Sequence, residues 1–419
     1  MEASSVRFVD MTTYDAIVVG ARCGGAPTAM LLARKGYRVL LLDRAAFPSD
    51  TPTAHFVMPP GVAKLARWGL LDRVRETNCP HIPTWHLDLG PFTLVGSPPP
   101  IDGVQGAYGP RRFVLDKILV DAAVEAGVEL RENFSVQELL TDGDRVTGIR
   151  GRPATGSTVT EQAHMVIGAD GMRSLVAREV QAPTYATKPP IACAYYGYFS
   201  DVPVDSVELY AGPQRAAIAF GTNDQLTCIF AEWPVAMFSE VRADVEGQFM
   251  ALLDACSPGL AERVRGGRHV ERFIGTADIP NFFRKPYGPG WALVGDAGYH
   301  KDPYLAQGIS DAFRDAELLA DALDAGFAGR RPLDDALATY EEQRNTSAMP
   351  LYELNYQLAS LEPPSPEQQQ LFGALYGNQA DTDRFFGTLC GTMPVQEFFA
   401  PDNLGRIMAG ATAPPTVRA

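Results

Sequence analysis

The segment YDAIVVGARCGG, residues 14–25, decides the fold of this chain. Its first half is a short apolar run that ends at a glycine, as buried parallel strands do. Residues 24–36 follow the pattern of a helix that ends in basic side chains and a glycine. Residues 37–42 are apolar again and close on Asp43. A strand, a glycine-rich turn, a helix and a second strand within about 30 residues predict one βαβ unit.

The glycine-rich turn in that unit has the chemistry of a phosphate site. The first amides of a helix and the positive end of its dipole attract a pyrophosphate, and glycines let the backbone approach it. The glycines are Gly20, Gly24 and Gly25, and Asp43 stands 23 residues after Gly20. A carboxylate at that distance is typical of a group that binds a ribose hydroxyl. Arg22 occupies the position where the strict pattern has its middle glycine.

Two later turns also follow apolar strands. They are GADGMRSLV, residues 168–176, and LVGDAGYHKDPYLAQG, residues 293–308. In the second turn, Asp296 can bind a polyol hydroxyl, and a helix that begins near Gly308 can stabilise developing negative charge. Hydrophobic patterning predicts helices over residues 115–127 and 308–325, strands over 128–130, 136–140, 145–150, 163–167 and 291–294, an antiparallel sheet within 191–231, and a surface connection between helices over 362–366.

The three turns, in this order, resemble the dinucleotide, "DG" and "GD" fingerprints of the class A flavoprotein monooxygenases, in the para-hydroxybenzoate hydroxylase-like superfamily of FAD-dependent oxidoreductases. The resemblance covers roughly residues 13–345. It implies an α/β fold with a Rossmann-like FAD-binding domain of the glutathione-reductase type, an antiparallel-sheet substrate domain and a helical C-terminal tail. The expected divisions are 12–78, 106–182 and 273–350 for the FAD domain, 79–105 and 183–272 for the substrate domain, and 351–419 for the tail.

The resemblance also implies which residues bind FAD. Asp43 is expected at the adenosine ribose, Arg112 near the pyrophosphate, Asp296 at the ribitol and Pro303 at the border of the isoalloxazine ring. For Arg22, either a charge-assisted bond to phosphate or flavin, or a side chain directed to solvent, is compatible with the sequence. The full expected set is Gly20, Arg22, Cys23, Gly24, Gly25, Asp43, Arg44, Arg112, Asp170, Gly295, Asp296, Pro303, Ala306, Gln307, Gly308 and Ile309.

For the reaction, the resemblance implies an NAD(P)H-driven monooxygenase that transfers oxygen from a flavin C4a-hydroperoxide to an electron-rich aromatic or polycyclic small molecule. Such an intermediate needs a dry pocket, which the aromatic strands within residues 191–231 are suited to line. His55, Tyr196 and His300 are the candidate catalytic residues, because each can carry a proton. Each also has a structural alternative: an ordinary loop histidine for His55, sheet packing for Tyr196, and ordering of its loop for His300.

Three other functions are compatible with the same fold. A reductase of isoprenoid double bonds shares it without oxygen transfer, and oxygen consumption distinguishes the two. A flavin-dependent halogenase is disfavoured because its Trp-x-Trp-x-Ile-Pro segment is missing, Trp85 here following Ile82 and Pro83. A non-enzymatic flavin-fold protein is disfavoured by Asp296, Pro303 and Gly308 in the third turn.

Composition excludes several other classes of protein. The chain has 419 residues, a net charge of −14 and a pI near 4.9, so nucleic acid and anionic membranes are not expected partners. No uncharged apolar run approaches the ~20 residues of a membrane span, and MEASSVRFVD is unlike a secretory signal, so a cytoplasmic location is expected. The six cysteines and six histidines show no metal-binding spacing, so no metal is expected. The sequence does not indicate an oligomeric state.

Overall fold

The computed structural model describes residues 13–53 and 55–410. Its strands, numbered along the chain, are β1 (Thr13–Val19), β2 (Val39–Leu42), β3 (His81–Ile82), β4 (Trp85–Asp88), β5 (Thr93–Gly96), β6 (Ala107–Tyr108), β7 (Glu129–Arg131), β8 (Phe134–Asp142), β9 (Arg145–Pro153), β10 (Val159–Gly168), β11 (Thr184–Lys188), β12 (Ala192–Ser200), β13 (Val207–Gly212), β14 (Arg215–Gly221), β15 (Thr227–Pro234), β16 (Arg268–His269), β17 (Ile274–Thr276), β18 (Asn281–Arg284), β19 (Tyr287–Gly288), β20 (Trp291–Leu293) and β21 (Tyr299–His300).

The α-helices, numbered in the same way, are α1 (Gly25–Arg34), α2 (Pro59–Arg67), α3 (Leu71–Arg75), α4 (Arg112–Glu125), α5 (Leu175–Glu179), α6 (Phe238–Ala243), α7 (Val245–Cys256), α8 (Pro258–Gly266), α9 (Gly308–Phe327), α10 (Leu333–Leu358), α11 (Pro366–Leu375), α12 (Gln379–Cys390), α13 (Val395–Phe398) and α14 (Pro401–Ala409). Short 3₁₀ helices cover Asn223–Gln225, Val235–Met237, Gly295–Ala297 and Pro303–Leu305.

The first sheet contains the predicted βαβ unit. Its strand order is β19-β20-β10-β1-β2-β7, and β20, β10, β1, β2 and β7 run parallel, while β9 and β8 extend it antiparallel from β10. All four residues of β2 are buried, as expected for a strand covered on both faces of a parallel sheet. Helices α1, α4 and α9 share one core with the sheet, so this half of the molecule is a layered α/β structure.

The second sheet is almost entirely antiparallel. Its order is β16-β12-β15-β14-β13-β4-β5, with β17 also paired to β12, and only the β13–β4 pair is parallel. Alternate residues of its strands pack against α7 and α8 on one face and against a second apolar cluster on the other. The second cluster also includes side chains from the C-terminal helices, so this face of the sheet is enclosed.

The C-terminal helices lie against the second sheet. The Ser97 amide, just after β5, donates to a carboxylate oxygen of Asp383 on α12 at 2.8 Å. A small sheet of β11, β18 and β21 and the pair β3–β6 complete the strands among residues 13–53 and 55–410. In this part of the chain, no helix is long and apolar enough to cross a membrane, and all six cysteines are free.

The fold class predicted from the sequence is confirmed, and the differences are local. Helix α4 begins three residues before its predicted start, and helices α6 to α8 were not predicted. The connection over residues 362–366 does join two helices, α10 and α11. Strand β17 pairs with the second sheet, although its residues fall in the range expected for the FAD domain. The domain boundaries themselves remain a prediction.

Candidate active site

The three predicted turns meet at one edge of the first sheet. Each follows the carboxyl end of a parallel strand, and neighbouring strands bring the turns together: the Ala169 amide donates to the Val19 carbonyl at 2.8 Å, and the Val294 amide to the Gly168 carbonyl at 3.0 Å. The Gly20 amide likewise donates to the Leu42 carbonyl at 2.7 Å. In open α/β sheets, ligands bind in the crevice outside these strand ends.

Two of the glycines in the first turn are required by packing. Gly20 has a φ of +99°, and a Cβ there would lie 2.4 Å from the Ala169 carbonyl oxygen. A Cβ on Gly25 would lie 1.8 Å from the carbonyl oxygen of Gly20, whereas one on Gly24 would meet nothing closer than 3.6 Å. Helix α1 therefore starts in direct contact with the turn, and no acidic side chain stands in its first turn to repel an anion. This start is suited to a pyrophosphate.

Asp43 holds the first turn to the end of β2. One carboxylate oxygen accepts the Ala21 amide and the other accepts the Ala45 amide, both at 2.8 Å. Each oxygen keeps a lone pair for a further donor, so the buried carboxylate is able to bind a ribose hydroxyl as predicted. The neighbouring Arg44 is exposed.

A buried cluster of charge lies beside the start of α1. Asp116 is fully buried and accepts from Arg22 Nη1 at 2.6 Å, from Arg112 Nε and Nη2 at 3.1–3.2 Å, and from Cys23 Sγ at 3.3 Å. Burial lowers the pKa of Arg112, but Cys23 and Asp116 beside it together raise the pKa more, so the guanidinium stays charged. Burial raises the pKa of the Cys23 thiol, which therefore stays neutral. Two cations and one carboxylate leave a positive charge, which favours a bound pyrophosphate.

Arg22 is held by protein groups rather than directed to solvent. Besides Asp116, its Nη atoms donate to the Ser49 carbonyl at 3.2 Å, the Ser49 hydroxyl at 3.0 Å and the Asp50 carbonyl at 3.3 Å, and its guanidinium lies 5.3 Å from the Phe47 ring centre. A bond from Arg22 to phosphate or flavin stays a prediction. In this arrangement Arg22 closes the loop after β2 onto the cluster around Asp116.

The third turn surrounds the start of α9. Gly295 has a φ of +60°, and the side chain of Asp296 is exposed at the same edge as the first turn. Pro303 opens a 3₁₀ turn that ends at Ala306. Ala306 has a φ of +50°, a left-handed backbone conformation that glycine adopts more easily than alanine. Gly308 then begins α9, followed by the buried Ile309.

Gln307 fixes that turn from inside. Its carboxamide oxygen accepts from Lys301 Nζ at 2.6 Å, and its nitrogen donates to the Leu389 carbonyl at 2.8 Å.

Asp170, in the second turn, has a structural role: it accepts from the Ser174 hydroxyl at 2.5 Å and from the Leu175 amide at 2.6 Å. The side chain of Asp296 is exposed and accepts no such bonds within its turn, so its carboxylate is more available to a ligand than that of Asp170.

A narrow apolar cavity lies between this turn and the second sheet. One wall comes from the turn itself, one from the loop after β2, one from the sheet and one from the end of α12. The lining residues are Phe56, Met58, Trp85, Val207, Ile218, Phe220, Tyr304, Leu305, Ala306, Leu389 and Cys390. Since most of these side chains are aliphatic or aromatic, the cavity lining is apolar and disfavours water.

His55 sits behind the cavity in a closed hydrogen-bond chain. The Thr222 hydroxyl donates to the Gly109 carbonyl at 2.6 Å, so it accepts from His55 Nε2 at 3.0 Å. Nδ1 of His55 then accepts from the Tyr198 hydroxyl, also at 3.0 Å. Burial, with Arg111 and Arg112 nearby, lowers the pKa of His55 to about 3, so the imidazole is neutral near pH 7.

Tyr196 is near His55, whereas His300 belongs to another strand pair. Tyr196 meets Tyr198 edge-on with ring centres 5.8 Å apart, and burial raises its pKa. His300 bonds the Pro280 carbonyl through Nδ1 at 2.5 Å and stacks on Phe282. The structure therefore brings His55 and Tyr196 into one cluster and gives His300 contacts that order its own loop.

Several residues of the site were not predicted as such. Asp116 is one, although its i+4 spacing from Arg112 is a known signal for an ion pair on a helix. Tyr198, Thr222 and Arg111 are others: the Arg111 guanidinium lies 3.8 Å from the Tyr198 ring centre and bonds Glu271 at 2.9 Å. No three His, Cys, Asp or Glu side chains cluster as metal ligands within the described part of the chain.

Comparison with known proteins identifies an FAD-binding domain in this chain. Residues 13–215 match the family described as "FAD binding domain". The chain is 27% identical over 440 residues to a tryptophan 2-halogenase of Chondromyces crocatus, covering 94% of this chain and 78% of the relative. It is 23% identical over 355 residues to a digeranylgeranylglycerophospholipid reductase of Methanocella arvoryzae, covering 82% of this chain and 86% of the relative.

A solved structure has the same fold. PqsL of Pseudomonas aeruginosa, described as a probable FAD-dependent monooxygenase, superposes with a TM-score of 0.69 at 22% identity, covering 90% of this chain and 99% of PqsL. PqsL has also been solved in complex with 2-aminobenzoylacetate. Similar proteins thus include a halogenase, a reductase and a monooxygenase.

Proposed function

We propose that this chain, whose residues 13–215 match the FAD binding domain family, is a member of the para-hydroxybenzoate hydroxylase-like superfamily and an NAD(P)H-driven monooxygenase of an electron-rich aromatic or polycyclic small molecule. The observation that carries the proposal is the apolar cavity, because it lies directly against the 3₁₀ turn Pro303–Leu305 that the family places beside the flavin ring. Oxygen transfer from a reduced flavin requires exclusion of water, and this lining provides it.

The residues that would hold FAD fit its parts. The glycines at 20 and 25 and the first amides of α1 would take the pyrophosphate, with Arg112 supplying positive charge. Asp43 would take the adenosine ribose and Asp296 the ribitol. When bound, FAD supplies transfer of two electrons from NAD(P)H and reaction with oxygen. The amides that open α9, at Gln307 and Gly308, point the positive end of a helix dipole at any negative charge on the ring.

On the substrate side, we assign His55 a positioning role. Its neutral imidazole joins the loop after β2 to Thr222 and Tyr198, and the His55 ring meets Phe220 edge-on at 5.7 Å. Because Phe220 lines the cavity, this chain of bonds sets the position of one wall. Tyr196 supports the same cluster, and His300 orders the third turn.

The aromatic substrate class is supported by the character of the lining. Phe56, Trp85, Phe220 and Tyr304 surround the cavity, and aromatic rings pack favourably edge-to-face against one another. The complex of PqsL with 2-aminobenzoylacetate is an example of an aromatic ligand in a protein of this fold.

The test uses the purified holoprotein with NADH or NADPH in an oxygen electrode, with a panel of phenols, anilines and polycyclic aromatics. The proposal expects nucleotide oxidation that rises with one class of aromatic compound, with one oxygen consumed per hydroxylated product detected by mass spectrometry. If NAD(P)H is oxidised but no compound of the panel yields an oxygenated product, the result argues against a monooxygenase.

A reductase of isoprenoid double bonds is the second candidate. It is supported by the digeranylgeranylglycerophospholipid reductase that matches 82% of this chain, and an apolar cavity also suits an isoprenoid. It would oxidise the nucleotide under anaerobic conditions and add two hydrogens to the substrate. Product formation that requires chloride or bromide would instead favour a halogenase, like the tryptophan 2-halogenase relative.

A further inference from the structure

The end of α12 has a carbonyl group that its own helix does not satisfy. The last four carbonyls of an α-helix have no partner within the helix. At the end of α12, the Gly391 amide donates to the Gly387 and Thr388 carbonyls. In the described part of the chain, the Leu389 carbonyl accepts only from the side chain of Gln307, at 2.8 Å. A residue of the turn beside the cavity therefore caps the helix that forms another wall of the cavity.

The carboxamide of Gln307 can form this cap in one orientation only. Gln307 is 4% exposed, so both ends of its carboxamide need a partner within the protein. The Leu389 carbonyl can only accept a hydrogen bond, and an ammonium group can only donate one. Because Lys301 Nζ lies 2.6 Å from the carboxamide oxygen, the nitrogen must face Leu389. Lys301 therefore determines that Gln307 donates to α12.

Lys301 is itself held between the third turn and α9. Its side chain is 5% exposed, and Nζ lies 2.7 Å from a carboxylate oxygen of Asp311, in the first turn of α9. Burial lowers the pKa of Lys301, and the charge of Asp311 opposes that effect. The other carboxylate oxygen of Asp311 accepts from Arg314 at 2.8 Å, so Asp311 keeps a cationic partner without Lys301. Removal of the ammonium group therefore leaves the Gln307 oxygen as the atom without a donor.

We propose that Lys301 is a positioning residue of the substrate cavity, acting through Gln307 and the end of α12. This rests on the proposed function, in which the cavity takes the substrate. Leu389 and Cys390 end α12 and line the cavity. Without the ammonium group, the buried carboxamide oxygen must find another donor, and this turns the nitrogen away from Leu389, because one planar amide carries both atoms. The end of α12 then opens more often, and the substrate loses part of its enclosure.

Labelling of Cys390 measures that opening without FAD or substrate. Burial raises the pKa of its thiol well above the usual range, and the side chain is 2% exposed, so it reacts when the end of α12 opens. The full-length protein is treated with N-ethylmaleimide, and peptide mass spectrometry identifies the labelled cysteines. Lys301→Met should label Cys390 about 10-fold faster than the parent, the effect of one lost charge-assisted bond. Gln307→Glu should do the same, because its carboxylate accepts from Lys301 but cannot donate to Leu389.

Lys64→Met is the matched control variant. Lys64 forms an ion pair with Glu317, which lies six residues beyond Asp311 on the same helix. Glu317, like Asp311, keeps an arginine partner when the lysine is removed, since Arg67 lies 3.1 Å from it. Among the described hydrogen bonds, Lys64 has none to the third turn or to α12. We therefore expect Cys390 to be labelled in Lys64→Met at the parental rate.

Cys193 is the reference within each variant, because it is fully buried on the other face of the second sheet, away from α12. Equal acceleration at Cys390 and Cys193 would indicate a general loss of stability and would overturn the proposal. Parental labelling of Cys390 in either Lys301→Met or Gln307→Glu also overturns it, since the first variant tests the ammonium group and the second tests the bond to α12. If Lys301→Met does not fold, Lys301→Gln, which is shorter and uncharged, takes its place with the same expectation.

Kinetics test the consequence for the substrate. The holoprotein is assayed with the compound of the aromatic panel that it turns over fastest. Lys301→Met should raise KM about 10-fold and change kcat by less than about threefold, because the enclosure contributes to binding before and during the reaction step. Lys64→Met should match the parent in both constants. An unchanged KM in Lys301→Met contradicts a role in the substrate cavity. A protein that turns over no aromatic compound instead refutes the proposed function, and the labelling of Cys390 still decides whether Lys301 positions the end of α12.

Discussion

Substitution of Gly25 by alanine should release FAD, whereas the same substitution at Gly24 should not. The Cβ added at position 25 would lie 1.8 Å from the carbonyl oxygen of Gly20, so the start of α1 must move by at least about 1.2 Å to reach the 3.0 Å that real contacts allow. A backbone carbonyl cannot swing away as a side chain can. We therefore expect a cost at the upper end of overpacking, about 3 kcal/mol of unfolding free energy.

The same displacement exceeds the range of a hydrogen bond, whose distances span only about 0.5 Å. Losing one charge-assisted bond between an amide of α1 and a phosphate costs about 1.5–3 kcal/mol, so the Kd for FAD should rise by at least about 10-fold. Quenching of flavin fluorescence on titration of the apoprotein measures this Kd, and urea denaturation measures stability.

Gly24→Ala is the matched control, one residue away. Its Cβ would meet Val294 at 3.6 Å, an ordinary contact, and Gly24 already has a helical φ of −87°. We expect FAD binding within about threefold of the parent, a difference of under 1 kcal/mol. If Gly25→Ala binds FAD as the parent does, or if both variants lose it equally, the assignment of this turn to the pyrophosphate is refuted.

Three further predictions concern the ionisable residues of the site. Asp296→Ala should raise the Kd for FAD by at least about 10-fold, whereas Asp170→Ala should mainly lower the Tm, because Asp170 already accepts bonds within its own turn; equal FAD loss contradicts this. Arg22→Gly should cost about 1–2 kcal/mol in urea denaturation through its bond to Asp116, and Arg22→Lys should recover only part of it; an equally stable Arg22→Gly variant is the contrary result. The pKa of His55 is lowered from 6.5 to about 3, so the stability it contributes is present above pH 6.5 and lost as the pH falls toward 3; from pH 7 to 5 the parent should lose about 2 kcal/mol more unfolding free energy than His55→Gln, and parallel losses would count against the burial of a neutral His55.

The parts of the site that could be predicted from the sequence are formed by residues that lie close together along the chain. The strand, turn and helix around Gly20 are read from consecutive residues, and Asp43 follows at a fixed distance because one helix and one strand separate it from that turn. The antiparallel second sheet was also predicted, because its strands alternate aromatic and β-branched residues with small ones.

The parts that were missed depend on contacts between distant residues. His55 bonds Thr222 and Tyr198, which are 167 and 143 residues away, and Arg22 bonds Asp116, 94 residues away. A single sequence contains no signal for such pairs, since each member alone has a common structural explanation.

The C-terminal helices show why the substrate is harder to predict than the cofactor. Leu389 and Cys390, at the end of α12, line the cavity, and the Leu389 carbonyl is bonded by Gln307, which also accepts from Lys301. One buried carboxamide thus fixes the cavity wall to the turn that opens α9. FAD binding depends on backbone geometry that a few glycines specify, whereas the cavity depends on how separate segments pack against one another. If the cavity binds the substrate as proposed, the size of that substrate is set where the sequence is least informative, at the contact between α12 and the turn.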